Sequence, residues 1–222
     1  MIPPNLLNDE GRASIATALM MSHHGFRRDL IRFGAALDRI GRGDLSRLEA
    51  VQEEWKNFHA TLHGHHQSED SGVFPSLAEK HPSVKATLER LGADHRKIDP
   101  LLEQGDRAFL ALPNTGDAAE VVRKLRTLLD EHLAIEEAEL VPFLRDGTVF
   151  PPPPNEEAAA MYAQGFAWAM QGIAPHVLEK VCAMLPEALL SRIPAARAAF
   201  DARCERAWGS SKAGASTTPI PE

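Results

Sequence analysis

Cysteine is scarce in this 222-residue chain: Cys182 and Cys204 form no Cys-x-x-Cys and are too few to staple a secreted framework. A reducing, cytoplasmic setting is therefore the expectation. Aromatic residues are only 6% of the chain, while Ala, Leu, Glu and Arg favour helix over strand. Basic residues are outnumbered, 24 Lys and Arg against 31 Asp and Glu, for a net charge of −7 and a pI near 5.8. A surface that tracks phosphates needs the opposite balance, so nucleic acid is excluded as an expected partner. No stretch approaches the roughly 18 uninterrupted apolar residues of a membrane span. Met1–Glu10 has neither a basic segment nor an apolar one, so no signal peptide is expected. Walker loops, Gly-rich dinucleotide turns, Gly-x-Ser-x-Gly and His-Glu-x-x-His are missing too, which removes the usual footholds for phosphoryl transfer, dinucleotide redox chemistry and hydrolysis.

Helical periodicity is abundant. The first stretch runs from about Glu10 to Ile40 with Ile15, Leu19, Phe26, Leu30, Phe33 and Leu37 on its stripe, and Gly41–Gly43 ends it. Asp44 is the expected N-cap of the second, which turns Leu48, Val51, Trp55, Phe58 and Leu62 inward. Ser83 is the expected cap of the third, Val84 to about Leu112, with Pro100 expected to kink it or break one hydrogen bond. Asp117 with Glu120 is expected to open the fourth, which closes at Asp146–Gly147. Four long helices on short loops imply an all-α fold, an up-down-up-down four-helix bundle over 10–147. A helical repeat array needs at least three copies, and only two are found. Residues 148–155 read as a Pro-rich linker, 156–208 as a helical extension, and 209–222 as a disordered tail. Met161, Phe166, Trp168 and Met170 give the extension an apolar face, which would cap the bundle or make a homodimer.

The chemistry is concentrated between Phe58 and Pro75, where His59, His63, His65 and His66 precede Glu69 and Asp70. A shorter version recurs: Leu62, His65, Glu69 and Pro75 align with Leu129, His132, Glu136 and Pro142 at a constant offset of 67 residues. Each copy is His-x-x-x-Glu, and residues i and i+4 share one helix face. An imidazole and a carboxylate stacked that way on two helices make two halves of a two-metal cage. These groups lie against apolar stripes, where charges without partners are avoided, so a metal explains them better than two solvated faces that match by accident.

His95 is the only histidine of the third stretch. Superposing Ala16, Leu19, Phe26, Leu30 and Leu37 on Leu88, Leu91, Ile98, Leu102 and Phe109 brings His23 onto His95 and leaves His24 at the surface. On the second stretch His66 is nearer the stripe centre than His65. Only His65 reproduces the spacing of His132 and Glu136, so His65 is the expected ligand and His66 a neighbouring pocket group. His59 and His63 read first as outside the site, and His81 and His176 as surface or loop residues.

The series His23, His65-x-x-x-Glu69, His95, His132-x-x-x-Glu136 resembles the hemerythrin-like HHE cation-binding domains over about Arg12–Arg145. The strings His65-His66-Gln67-Ser68-Glu69-Asp70 ahead of Phe74-Pro75, and Glu131-His132 ahead of Glu136-Glu137, look like the two hallmark helices of that family. The resemblance implies a non-haem di-iron centre inside the bundle: two iron ions, Fe2+ or Fe3+, with an oxo or hydroxo bridge. Its ligands would be His23, His65, Glu69, His95, His132 and Glu136, with His23 and His132 on one iron and His65 and His95 on the other. Oxygen-carrying hemerythrins have a second histidine one turn after that of the third helix, where this chain has Asp99, and a longer His-to-carboxylate spacing on the last helix. The chain thus resembles the bacterial HHE branch, with four imidazoles and two carboxylates. Asp99 is open between a seventh ligand and a group that orients His95, and His66 and Asp99 are the expected proton-relay residues. Fewer protein ligands leave more positions for a small molecule. The expected function is therefore oxidoreductase chemistry on H2O2, O2 or NO with an unidentified electron donor. A reversible gas- or iron-sensing module without turnover is the alternative.

Overall fold

Extended backbone at Ser14 sets the start of the first helix, α1 (Ile15–Gly41), where the Ser14 N–H donates to Thr17 Oγ1 at 2.9 Å. Left-handed Gly43 (φ 93°) lets the chain turn away from its far end. The computed structural model describes residues 6–209, and these are all-helical with no strand. The start of the N-terminal segment and residues 210–222 of the expected tail lie outside the described residues. Three of the expected caps fall elsewhere. Asp44 Oδ1 accepts the Ser46 N–H (3.2 Å) in a turn, and α2 (Leu48–Ser68) begins beyond it. After α3 (Phe74–Lys80), Ser83 sits inside a 3-10 turn, Pro82–Val84, which feeds α4 (Lys85–Leu110). Asp117 lies in the first turn of α5 (Gly116–Glu139), where a carboxylate favours the positive helix end without bonding to it. Glu120 instead pairs with Arg123 one turn on. Pro100 does not end α4.

Helices α1, α2, α4 and α5 form the bundle. Its core joins Phe26, Leu30 and Phe33 of α1 to Trp55, Phe58 and Leu62 of α2, Ile98, Leu102 and Phe109 of α4, and Leu125, Leu129 and Leu133 of α5. Trp55 brings α2 close to α4: its indole occupies the space beside Gly105, where a Cβ would lie 1.9 Å away, and it stacks on Phe109 at 4.3 Å. Between α2 and α3 the chain makes a π-helical turn, Glu69–Val73, a common device for re-aiming functional side chains.

The short α6 (Val141–Leu144) is followed by the extension: α7 (Glu156–Ala169), α8 (Pro175–Met184), α9 (Glu187–Leu190) and α10 (Ile193–Trp208). These helices close over the bundle. Met20 and Met21 of α1 share a second core with Phe166, Met170, Val181 and Leu189. Trp168 lies against Gly25, where a Cβ would sit 2.5 Å from the indole, and its Nε1 donates to Asp29 at 2.6 Å. Arg28, fully buried, bonds to Asp29 (2.8 Å) and to the carbonyls of Trp168 and Gln171 (both 3.1 Å). A buried cation needs this full set of acceptors, so the node fixes where the extension docks. Of the apolar face expected to cap the bundle or make a homodimer, Phe166 and Met170 are buried and Met161 is 59% exposed. Among the described residues no helix is long and apolar enough to cross a membrane.

Candidate metal centre

Seven side chains meet at one level of the bundle. His23 comes from α1, His65 and His66 from α2, Glu69 from the start of the π-turn, His95 from α4, and His132 and Glu136 from α5. They fall into overlapping sets. In one, His23, His65, Glu69 and Glu136 offer ligand atoms within 4.8 Å of one another. In the others, His66, His95 and His132, and again Glu69, His95, His132 and Glu136, do the same.

Each carboxylate spans the two sides. Glu69 presents Oε1 to His65 Nε2 (3.2 Å) and Oε2 to His95 Nε2 (3.6 Å). Glu136 presents Oε2 to His23 Nε2 (3.2 Å) and Oε1 to His132 Nε2 (3.5 Å). This differs from the pairing expected from sequence. His23 shares a side with His65, their rings 5.5 Å apart, and His95 shares the other with His132, at 4.9 Å.

His66 is the larger departure. Adjacent helix positions point about 100° apart, so His65 turns toward His23 while His66 stacks on His95 with ring centroids 4.1 Å apart. The cage holds five imidazoles, three on one side and two on the other. The sequence carried the signal, because His66 lies nearer the apolar stripe than His65; the repeat hid it, since Leu133 stands 67 residues on.

Two outer carboxylates orient the rings. His23 Nδ1–H donates to Glu137 Oε1 at 3.0 Å, and Arg27 Nη1 holds the same oxygen at 2.6 Å. His95 Nδ1–H donates to Asp70 Oδ1 at 3.0 Å. Each bond fixes the tautomer that leaves Nε2 as a lone pair facing the cage. Asp70, not Asp99, thus orients His95. Asp99 joins none of the close sets: its side chain is 43% exposed, 3.6 Å from His63 Nδ1 and 3.9 Å from His66 Nδ1. His59 pairs with Asp106 at 2.9 Å, away from the cage. His24 is not a surface residue. It is half-buried beside Gly172 of the extension, and burial, reinforced by the Arg28 charge, pushes it down to about 4.

Ten buried nitrogen and oxygen atoms of the cage have no hydrogen-bond partner, among them Nε2 of all five histidines, Glu69 Oε2 and both oxygens of Glu136. Buried polar atoms are almost always satisfied, so a convergent set of lone pairs calls for a cation. Titration within the cage agrees. Burial pushes Glu69 well above the usual carboxylate range, with the charges of Glu136 and Asp70 adding to it. At Glu136 burial acts the same way, but the nearby His23 ring, 3.2 Å away, overcomes it and holds the carboxyl well below the usual carboxylate range. Burial also takes His65 to about 3 and His132 to about 4, and drives His66 far below its ordinary value. Neutral imidazoles with free lone pairs, as at His65, His66 and His132, are the form in which histidine binds metal; His23 is raised instead, because Glu136 and Glu137 outweigh its burial. The mixed imidazole and carboxylate set, with each glutamate reaching both sides, fits a two-metal group.

A family model described as Hemerythrin HHE cation binding domain matches residues 14–144, which include all seven cage residues. No match was found among curated proteins or among solved structures.

Proposed function

Because this chain belongs to the hemerythrin HHE cation-binding domain family, we propose that its cage holds two iron ions and that a small oxidant, H2O2, O2 or NO, reacts there. The observation that carries this reading is that seven residues with partnerless buried atoms converge, one ligand atom from each, in overlapping sets that share Glu69 and Glu136. His23 and His65 would serve one iron, His66, His95 and His132 the other, with both glutamates shared. Iron supplies one-electron redox steps and Lewis acidity toward such molecules.

The chain's own residues supply the rest. Glu137 and Asp70 hold His23 and His95 in the tautomer that presents Nε2. Leu62, Ile98, Leu129 and Leu133, all buried, keep bulk water out. The side with two imidazoles leaves more positions to a small ligand than the side with three, which supports reaction at the His23–His65 end. Asp99 lies 3.6 Å from half-exposed His63 and 3.9 Å from buried His66 Nδ1, gaps too long for direct hydrogen bonds, so a proton path along this row would need a bridging water at each.

A second reading, reversible gas binding or sensing without turnover, gains from the fifth imidazole. Its expected absence was the reason to favour turnover, and His66 supplies it. Metal analysis with an optical spectrum tests the common part: about two irons per chain and near-ultraviolet bands are expected. One zinc and no visible absorption, unchanged after anaerobic iron loading, would overturn it. Evolved oxygen or NO consumption then separates the readings. Turnover supports the first, whereas a long-lived oxygenated spectrum that reverses under vacuum supports the second.

A further inference from the structure

A cleft of about 520 Å3 opens between α1 and α2 on one side and α7 and α10 on the other. Its second wall lies beyond residue 144, where the family match ends, so this chain's own extension creates it. The cleft gathers eight of the thirteen aromatic residues in a chain that is only 6% aromatic, Phe26, Phe58, Tyr162, Phe166, Trp168 and Trp208 among them. Ring faces in a concave wall recognise other rings, through offset and edge contacts as well as area.

The charged side chains of the lining are already partnered. Asp29 is held by Arg28, Arg32 and Trp168, and Glu54 takes two bonds from Arg203, at 2.8 and 3.0 Å. A charged ligand would leave water without gaining a free countercharge, which disfavours it. Space is kept open as well. Gly64 on α2 and Gly165 on α7 both line the cleft, and nothing lies within 4 Å of where a Cβ would stand on either. Gly25 and Gly105 are different, since a tryptophan fills the space beside each. Glycine inside a helix is less stable than alanine, and at Gly64 and Gly165 no close contact or positive φ requires it. What the two residues leave is room. Deepest in the lining is His65, the most exposed member of the cage at 12%, backed by the fully buried ring of Phe26 at 5.1 Å.

We propose that this cleft binds an uncharged, ring-containing small molecule, seated against the partly exposed rings of Tyr162 and Trp168 and the exposed edge of His65. The site goes beyond metal binding by the family domain and does not depend on it. The test is a fluorescence titration of the full, metal-loaded chain with N-phenyl-1-naphthylamine, a neutral probe. Its anionic relative 8-anilinonaphthalene-1-sulfonate is run in parallel. The neutral probe is expected to saturate one site, with energy transfer from tryptophan, and the sulfonate to bind at least about tenfold more weakly. Gly165→Leu and Gly64→Leu, which fill open space on opposite walls, are each expected to weaken the neutral probe about tenfold or more. Measured on the same samples, metal content should stay at the wild-type value and the thermal midpoint should not fall, since a leucine in open space suits a helix better than glycine does. Absence of saturable binding, wild-type affinity in both leucine variants, or equal affinity for the sulfonate would overturn the proposal. Because the probe reads the cleft and metal analysis reads the cage, failure of either is seen separately.

Discussion

At the scale of single residues, neighbouring histidines have opposite duties. His23 is buried inside the cage, whereas His24 is tucked under the extension. His23→Ala is therefore expected to lose metal, and His24→Gln to keep it while loosening the extension; metal content and urea midpoint, read together, check both. If His24→Gln lost the metal, the phase of α1 would be wrong. Orientation of the rings makes a second expectation. Glu137→Gln and Asp70→Asn should each weaken metal binding about 10–100-fold, and Asp99→Asn much less, as competition with a chelator would measure. The helix-one phase was legible because two apolar stripes superpose. Asp70 and Glu137 were legible in principle, since they follow the two glutamates of the cage and obey the same 67-residue offset. Asp99 misled because sequence position gives the distance along a helix but not which acid of a neighbouring turn reaches over. The π-turn at Glu69–Val73 carries Asp70 there first.

Among the elements, the four bundle helices were readable from periodicity, since one face of each carries the apolar residues that must meet. Their starting points were less readable, because Asp44, Ser83 and Asp117 sit in turns or first turns that compete with capping. The docking of the extension was not readable at all. It depends on Trp168 fitting over Gly25 and on Arg28 finding acceptors roughly 140 residues away, which no local pattern encodes. That contact makes its own test. Gly25→Ala places a methyl 2.5 Å from the indole, so the two helices must part. The expected cost is about 1–3 kcal/mol in urea unfolding, with a red shift in tryptophan emission. An unchanged midpoint would show that α7 does not rest on α1 in this register.

For the whole molecule, burial of so many imidazoles sets the response to pH. In metal-free protein His24, His65, His66 and His132 all titrate below their ordinary value of 6.5, at about 4, 3 and 4 for His24, His65 and His132. The unfolded chain takes up protons there first, so stability should fall as pH drops from about 6.5 toward 4. Raised Glu69 opposes this, being protonated in the fold before the unfolded chain protonates it. Raised His23 adds no slope below 6.5, where both states carry its proton. Four groups against one leave acid destabilising, and a thermal midpoint that rose from pH 6.5 to 4.5 would contradict the assignment. Metal should raise the midpoint at neutral pH, because binding by a buried site is folding free energy. The cage also draws on all four bundle helices, from His23 to Glu136, with six of its seven residues at 2% exposure or less. A bound ion is then a strap across the chain's most distant segments, and it cannot leave through one fraying loop. Its release should be gated by opening of the bundle, so the rate of stripping by a chelator should level off as chelator concentration rises and track the unfolding rate instead.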